Sequence, residues 1–147
     1  MKCVIVYWSR YGHGKKIVQR LVDRLETAKI DTNTYRPDKI DPKDMLVADL
    51  YIFSTPTEMF RIKKEMRNFM KNMEKLEGKK YAIINTHGMK RNWLKSMDKI
   101  LKKKGMKKLT EVDFKIEREG TEKGEGLSKD WEAKLDKFAE KLIKKLT

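Results

Sequence analysis

The chain has 147 residues, a length that suits one domain around one core, and its hydrophobic and charged fractions are each 39%, the latter well above the roughly 25% of an ordinary globular protein. The apolar residues come in short blocks, which excludes wholesale disorder. No block approaches the roughly 20 apolar residues of a membrane span, and the first is too short for a signal h-region, so a soluble cytoplasmic protein with no membrane partner is expected. With one cysteine, Cys3, and two histidines, neither an internal disulfide nor a structural zinc site is expected.

Cys3 to Trp8 is continuously apolar and rich in branched and aromatic side chains, which predicts a strand buried on both faces. After a Gly-bearing turn, Ile17, Val18, Leu21, Val22 and Leu25 form one stripe at helical period, with Lys15, Lys16, Arg20 and Arg24 off it. Asp31 to Arg36 reads as a short polar strand closed by Pro37, and Asp41-Pro42 with Met45 and Leu46 as one helical turn. Ala48 to Ser54 is the next buried strand. Ile62, Met66, Phe69, Met70, Met73 and Leu76 stripe a helix that Gly78 ends, and Tyr81 to Ile84 is another apolar strand. Trp93, Leu94, Met97, Ile100 and Leu101 stripe the following helix, stopped near Gly105. From Leu109 to Glu119, Val112, Phe114 and Ile116 alternate with Asp113, Lys115 and Glu117, the pattern of an edge strand with one wet face. A Gly-rich loop from Glu119 to Leu127 leads to Ser128 as N-cap, with Asp130 in the first turn, and a last helix striped by Trp131, Leu135, Phe138, Ala139, Leu142, Ile143 and Leu146.

Five strands alternating with helices predict an α/β fold: a doubly wound parallel sheet with helices on both faces, formed as a single domain over residues 1–147. The apolar first, third and fourth strands belong in the centre and the polar second and fifth at the edges, which the order 2-1-3-4-5 satisfies. That order puts the switch point between strands one and three. A ligand crevice is expected there, lined by the loops after strands one, three and four.

The net charge of +14 is concentrated. Between residues 61 and 108, 17 Lys and Arg stand against 4 Asp and Glu, whereas the counts are 10 against 8 before and 9 against 10 after. Such a block attracts nucleic acid, anionic membrane or an acidic protein. A solvated Lys/Glu-rich surface of the thermophile kind is the alternative, and the single glutamine, Gln19, suits it.

The first loop, Ser9-Arg10-Tyr11-Gly12-His13-Gly14, runs into a helix beginning near Lys15. The N–H groups of such a turn converge where the helix dipole favours an anion, so a phosphate fits, with the Ser9 hydroxyl and the charge of Lys15 or Lys16 beside it. Glycine used for turn geometry alone is the other reading. VYWSRYGHGKK also resembles the phosphate loop of flavodoxins, Ser/Thr-x-Thr-Gly-x-Thr. Ser9 and Gly12 match its first and fourth places, Tyr11 stands at the second hydroxyl position as in the Tyr-Gly-His version of flavodoxin-fold quinone reductases, and Gly14 replaces the last threonine.

Ser54-Thr55-Pro56-Thr57-Glu58-Met59-Phe60 is similar to the segment of the same superfamily that touches the ribityl chain and one edge or face of the flavin ring. The resemblance implies hydroxyls from Thr55 and Thr57 and an apolar surface from Met59 or Phe60, which otherwise read as local core. Flavodoxins often carry a glycine here whose peptide turns over when flavin N5 takes a proton, and this segment has none. In Asn85-Thr86-His87-Gly88-Met89, after strand four, the resemblance implies backbone contacts to the pyrimidine side of the ring, with Gly88 permitting close approach. His87, Met89 or Trp93 stands where the family's stacking tyrosine is missing. His13 and His87 both fall in ligand loops, as proton donors or as surface histidines by chance.

The resemblance covers the whole chain and implies a flavodoxin-like, FMN-binding electron-transfer protein that shuttles electrons between redox partners, the basic block pointing to an acidic one. No catalytic dyad is evident. A flavin-dependent quinone or small-acceptor reductase is the near alternative. A flavin-free basic module binding RNA or an acidic protein is the distant one.

Overall fold

The computed structural model describes residues 1–9, 12–58, 61–62, 64–88, 94–117 and 126–147, of which 57–58 and 61–62 as backbone. In chain order the elements are β1 (Lys2–Tyr7), α1 (His13–Thr27), β2 (Asp31–Tyr35), a 3-10 turn (Pro42–Asp44), β3 (Leu50–Glu58), β4 (Arg61–Ile62), α2 (Lys64–Asn72), β5 (Lys80–His87), α3 (Leu94–Lys103), β6 (Lys107–Lys115) and α4 (Trp131–Leu146). The parallel strands are ordered β2-β1-β3-β5-β6, and β4 pairs antiparallel with the end of β3. This is the expected 2-1-3-4-5 sheet with a short hairpin strand added.

Parallel strands need right-handed crossovers, and a reversal of strand order sends the helices to opposite faces. One core therefore joins α1 and α4 to Cys3, Ile5, Leu50, Ile52, Ala82, Ile84 and Phe114. The other joins α2 and α3 to Val4, Val6, Tyr51, Phe53, Tyr81 and Ile83. Alternate residues of each central strand feed opposite cores, which is why these strands read as unbroken apolar runs. Burial pushes the Cys3 thiol up to about 12. Among the described residues no helix is long and apolar enough to cross a membrane.

Several boundaries differ from the sequence reading. β3 begins at Leu50 rather than Ala48, because the buried Ala48 N–H turns to the Tyr51 hydroxyl at 3.0 Å. β3 continues to Glu58 and β5 to His87, since the register runs on from Ser54↔Ile84 to Thr57↔His87. Threonine suits a strand, so segments read as loops by their polarity are ladder. Ile62 belongs to β4 and not to the helix; Met73 and Leu76 lie past the end of α2, yet both are buried. Ser128 is not the N-cap of α4. Its hydroxyl bonds Asp130 Oδ1 at 3.0 Å and its carbonyl accepts from Trp131 N–H at 3.1 Å, while Asp130 takes the cap position. β6 is an edge strand by pairing, but α3 and α4 cover its two faces, so Asp113 on the supposedly wet side is half-buried.

Candidate functional site

The crevice begins where one ladder stops. β1 and β3 pair as far as Tyr7↔Ser54, and Trp8 N–H makes the last bond, to Ser54 O at 2.9 Å. Two residues on, Pro56 turns the same side toward β1 and has no N–H to offer. Beyond Ser54, β3 is held only by β5, through Thr55↔Asn85, Pro56↔Thr86 and Thr57↔His87. A proline is tolerated in this central strand because its blocked side faces the gap at the switch point.

The first loop lies beside that gap. Gly12, at φ 84, has the left-handed conformation that costs other residues about 1–2 kcal/mol. A Cβ on Gly14 would lie 3.1 Å from Trp8 O, so the start of α1 packs directly on the end of β1. Ser9 Oγ accepts from Lys15 N–H at 3.2 Å, which leaves the hydroxyl proton able to donate elsewhere. The helix ladder opens with Lys16 N–H on Gly12 O at 3.0 Å. Neither α1 nor α3, which follow the first and third loops, has an acidic residue in its first turn, whereas α2 has Glu65 and α4 has Glu132. An acid-free helix start with Lys15 beside it accommodates an anion. Arg10 and Tyr11 lie outside the described residues.

Of the second segment, Ser54 and Thr55 are buried, Pro56 is half-buried, and Thr57 and Glu58 pair with Ile62 and Arg61 of β4. Met59 and Phe60 lie outside the described residues, as do Met89 and Trp93 in and after the third loop. Thr86 is buried, and among the described residues nothing lies within 4 Å of where a Cβ on Gly88 would stand.

Both histidines are buried, His13 to 3% exposure and His87 to 8%, which removes the reading of them as chance surface residues. His87 Nε2 lies 2.5 Å from Asp113 Oδ2, and the Asn85 side-chain amide donates to Asp113 Oδ1 at 3.0 Å. Ile116 N–H bonds His87 O at 2.8 Å. One carboxylate of the edge strand thus fixes two side chains at the end of β5. Sequence reasoning missed Asp113, which looked like one more solvent-facing member of an alternating strand. The bulge between Tyr81 and Ala82 sets which residue of β6 stands opposite Asn85, and alternation carries no trace of it.

The flavodoxin family, described as Flavodoxin, matches residues 5–142. The chain belongs to the flavodoxin family. No curated protein matches it. Among solved structures it is similar to the Streptococcus pneumoniae TIGR4 flavodoxin (22% identity, 99% of each chain, TM-score 0.77) and to the two-electron reduced Megasphaera elsdenii flavodoxin (16%, 97% of this chain and 98% of that one, 0.78). It is also similar to a part of the rubredoxin oxygen:oxidoreductase of Desulfovibrio gigas (16%, 99% of this chain and 36% of that one, 0.81). As a flavodoxin-family member it is an FMN-binding electron-transfer protein that works with redox partners. The residues present fit that cofactor: a helix start free of acidic residues beside the Ser9 hydroxyl, and a glycine turn packed on the strand end where the β1/β3 ladder stops.

Proposed function

We propose that this flavodoxin is a cytoplasmic carrier that holds FMN across the three loops and passes electrons to an acidic protein partner. Ser9, Arg10, Tyr11, Gly12, His13, Gly14 and Lys15 would enclose the phosphate. Ser54, Thr55, Pro56, Thr57, Glu58, Met59 and Phe60 would line the ribityl chain and one side of the ring, and Thr86, His87, Gly88, Met89 and Trp93 the other. The acid-free start of α1 beside the Ser9 hydroxyl carries this reading. Bound FMN accepts and releases electrons singly or in pairs. Asp113, gripping Asn85 and His87, keeps the end of β5 rigid where the third loop departs.

Titration of the protein with FMN, riboflavin and FAD tests the site. FMN should bind at least about 10-fold more tightly than riboflavin, as expected when a phosphate takes charge-assisted hydrogen bonds worth roughly 1.5–3 kcal/mol. Equal affinities would remove the phosphate role of Ser9 to Lys15. The acidic-partner reading rests on Arg61, Lys63, Lys64, Lys90 and Arg91, basic residues that neighbour the second and third loops in sequence. Reversing Lys63, Lys64, Lys90 and Arg91 to Glu should slow electron transfer to the physiological partner and flatten its salt dependence. An unchanged rate and salt dependence would make that charge solvated surface.

A further inference from the structure

The opposite pole of the sheet, where the strands begin, combines a dense lysine cluster with the exposed large apolar side chains of the described residues. Crossover helices run against the strands, so α2 and α3 end at this pole. Their following turns are stitched together: Gly78 N–H bonds Gly105 O at 2.9 Å, Lys107 N–H bonds Lys79 O at 2.8 Å, and Lys104 Nζ donates to Lys71 O and Met73 O at 2.8 and 2.6 Å. Residues 71–80 and 102–107 thereby gather eight lysines against two glutamates, with no arginine. Among the described residues none of Lys71, Lys75, Lys80, Lys102, Lys103 and Lys107 forms an ion pair, and all six are exposed. Lys80 and Lys107 stand in register on neighbouring strands, like charges where such a pair weakens a sheet.

The apolar part lies in the same row. The register Cys3↔Leu50↔Lys80↔Lys107 crosses the sheet, and Met1 and the pair Leu46 and Val47 lie in the segments that lead into β1 and β3. They are 53%, 45% and 71% exposed. Asp49, between them, spends its carboxylate on Lys2 N–H at 2.8 Å.

We infer that this pole docks reversibly on an anionic lipid surface, the lysines meeting headgroup phosphates and Leu46 and Val47 entering the headgroup boundary. Diffuse ammonium charge beside a few apolar side chains is what such a surface takes. Protein interfaces favour arginine and aromatic anchors, and single-stranded nucleic acid favours stacking aromatics; the two turns expose neither. The ligand loops lie at the far end of the strands, about 25 Å away over the eight residues of β5. A docked carrier therefore keeps that end free. The inference does not depend on how, or whether, the loops hold FMN.

Co-sedimentation of the protein with vesicles of phosphatidylcholine alone, or with about 30 mol% phosphatidylglycerol, tests it. Binding is expected only with phosphatidylglycerol, and it should weaken as salt rises. Removing one lysine should weaken it about 5-fold, and Lys75→Glu, Lys79→Glu, Lys103→Glu and Lys107→Glu together by more than about 100-fold. Leu46→Ser with Val47→Ser should weaken vesicle binding about 10-fold while leaving binding to a random-sequence DNA duplex unchanged. Circular dichroism confirms that the variants fold. No binding to phosphatidylglycerol vesicles, or binding indifferent to both sets of changes, would overturn the inference. So would tighter binding to the DNA duplex than to vesicles with no effect of Leu46 and Val47, which would assign the pole to nucleic acid.

Discussion

Under α1 and α4 the core is built from Ile5, Ile17, Val18, Leu21, Leu25, Ile52, Ile84, Leu135 and Leu142; under α2 and α3 it leans on Met66, Met70, Met73, Met97 and Met106. The surfaces above these cores differ as well. Arg20 donates to both carboxylate oxygens of Asp136 at 3.0 Å and to Glu132 at 2.9 Å, Arg24 adds two bonds to Asp136, and Lys16 and Arg20 lie over the Trp131 ring. Between α2 and α3, among the described residues, the corresponding tie is Lys104 on backbone carbonyls; Lys108 pairs with Asp98 of α3 and with Glu111, while Lys71, Lys75, Lys102, Lys103 and Lys107 form no ion pair. One face is closed by branched side chains and paired charge. The other is filled by unbranched, adaptable side chains under a positive surface, which is the better construction where something else is to settle on it.

Truncation of the cores should separate the faces most. Leu21→Ala is expected to cost about 3–5 kcal/mol and Met70→Ala about 2–3 kcal/mol, because methionine neighbours collapse into a cavity more readily than branched ones. Denaturant unfolding measures both, and equal losses would erase the distinction. Next comes Asp113→Ala, which deprives Asn85 and His87 of their shared acceptor and should cost about 1–3 kcal/mol. FMN titration of the same variant reports whether the end of β5 also governs cofactor affinity; an unaltered affinity would confine Asp113 to stability.

A smaller effect has the opposite sign. Lys107→Glu turns a like-charge neighbour of Lys80 into an opposite one, and should raise stability by roughly 0.2–1 kcal/mol, with the gain shrinking in salt. A loss would mean that Lys107 already has compensation. The smallest effect is expected on the paired face. Hydrogen bonds from Arg20 hold the Asp136 carboxyl below its usual value, aided by the charges of Arg20 and Arg24 and against the pull of burial. A carboxyl depressed in the folded state stabilises above its unfolded value near pH 4, and that contribution disappears as pH falls through the folded value. Asp136→Asn should lower the neutral plateau of a stability-pH curve slightly, leave the stability in strong acid unchanged, and so flatten the acid limb below pH 4.

The strand order, the assignment of helices to faces and the glycine turn after β1 were legible because each depends on local pattern: continuous apolar runs for strands with two covered faces, stripes for helices, Gly12 for a left-handed residue. What escaped depends on pairing. Thr55 to Glu58 and Asn85 to His87 are polar, and only the alignment of β3 with β5 makes them ladder. Asp113 became part of the site through the bulge at Tyr81 and Ala82, shortly before Asn85, in the contact of two strands rather than in either. Ser128 looks like a cap, yet the helix starts two residues later with Asp130 at the cap position, because the turn that delivers the chain to α4 spends the Ser128 hydroxyl on Asp130.

Cys3, sealed between β1 and the α1/α4 core with its thiol raised to about 12, bears on how electrons are counted in this protein. At neutral pH its reactive thiolate is on the order of one part in 10⁵, and no oxidant or disulfide reaches the sulfur while the fold is closed. There is no second cysteine to pair with it. Reducing equivalents delivered to the protein are therefore stored on the flavin alone. A reductive coulometric titration should find two electrons per bound FMN and nothing left over, and a thiol reagent should count Cys3 only when denaturant opens the sheet.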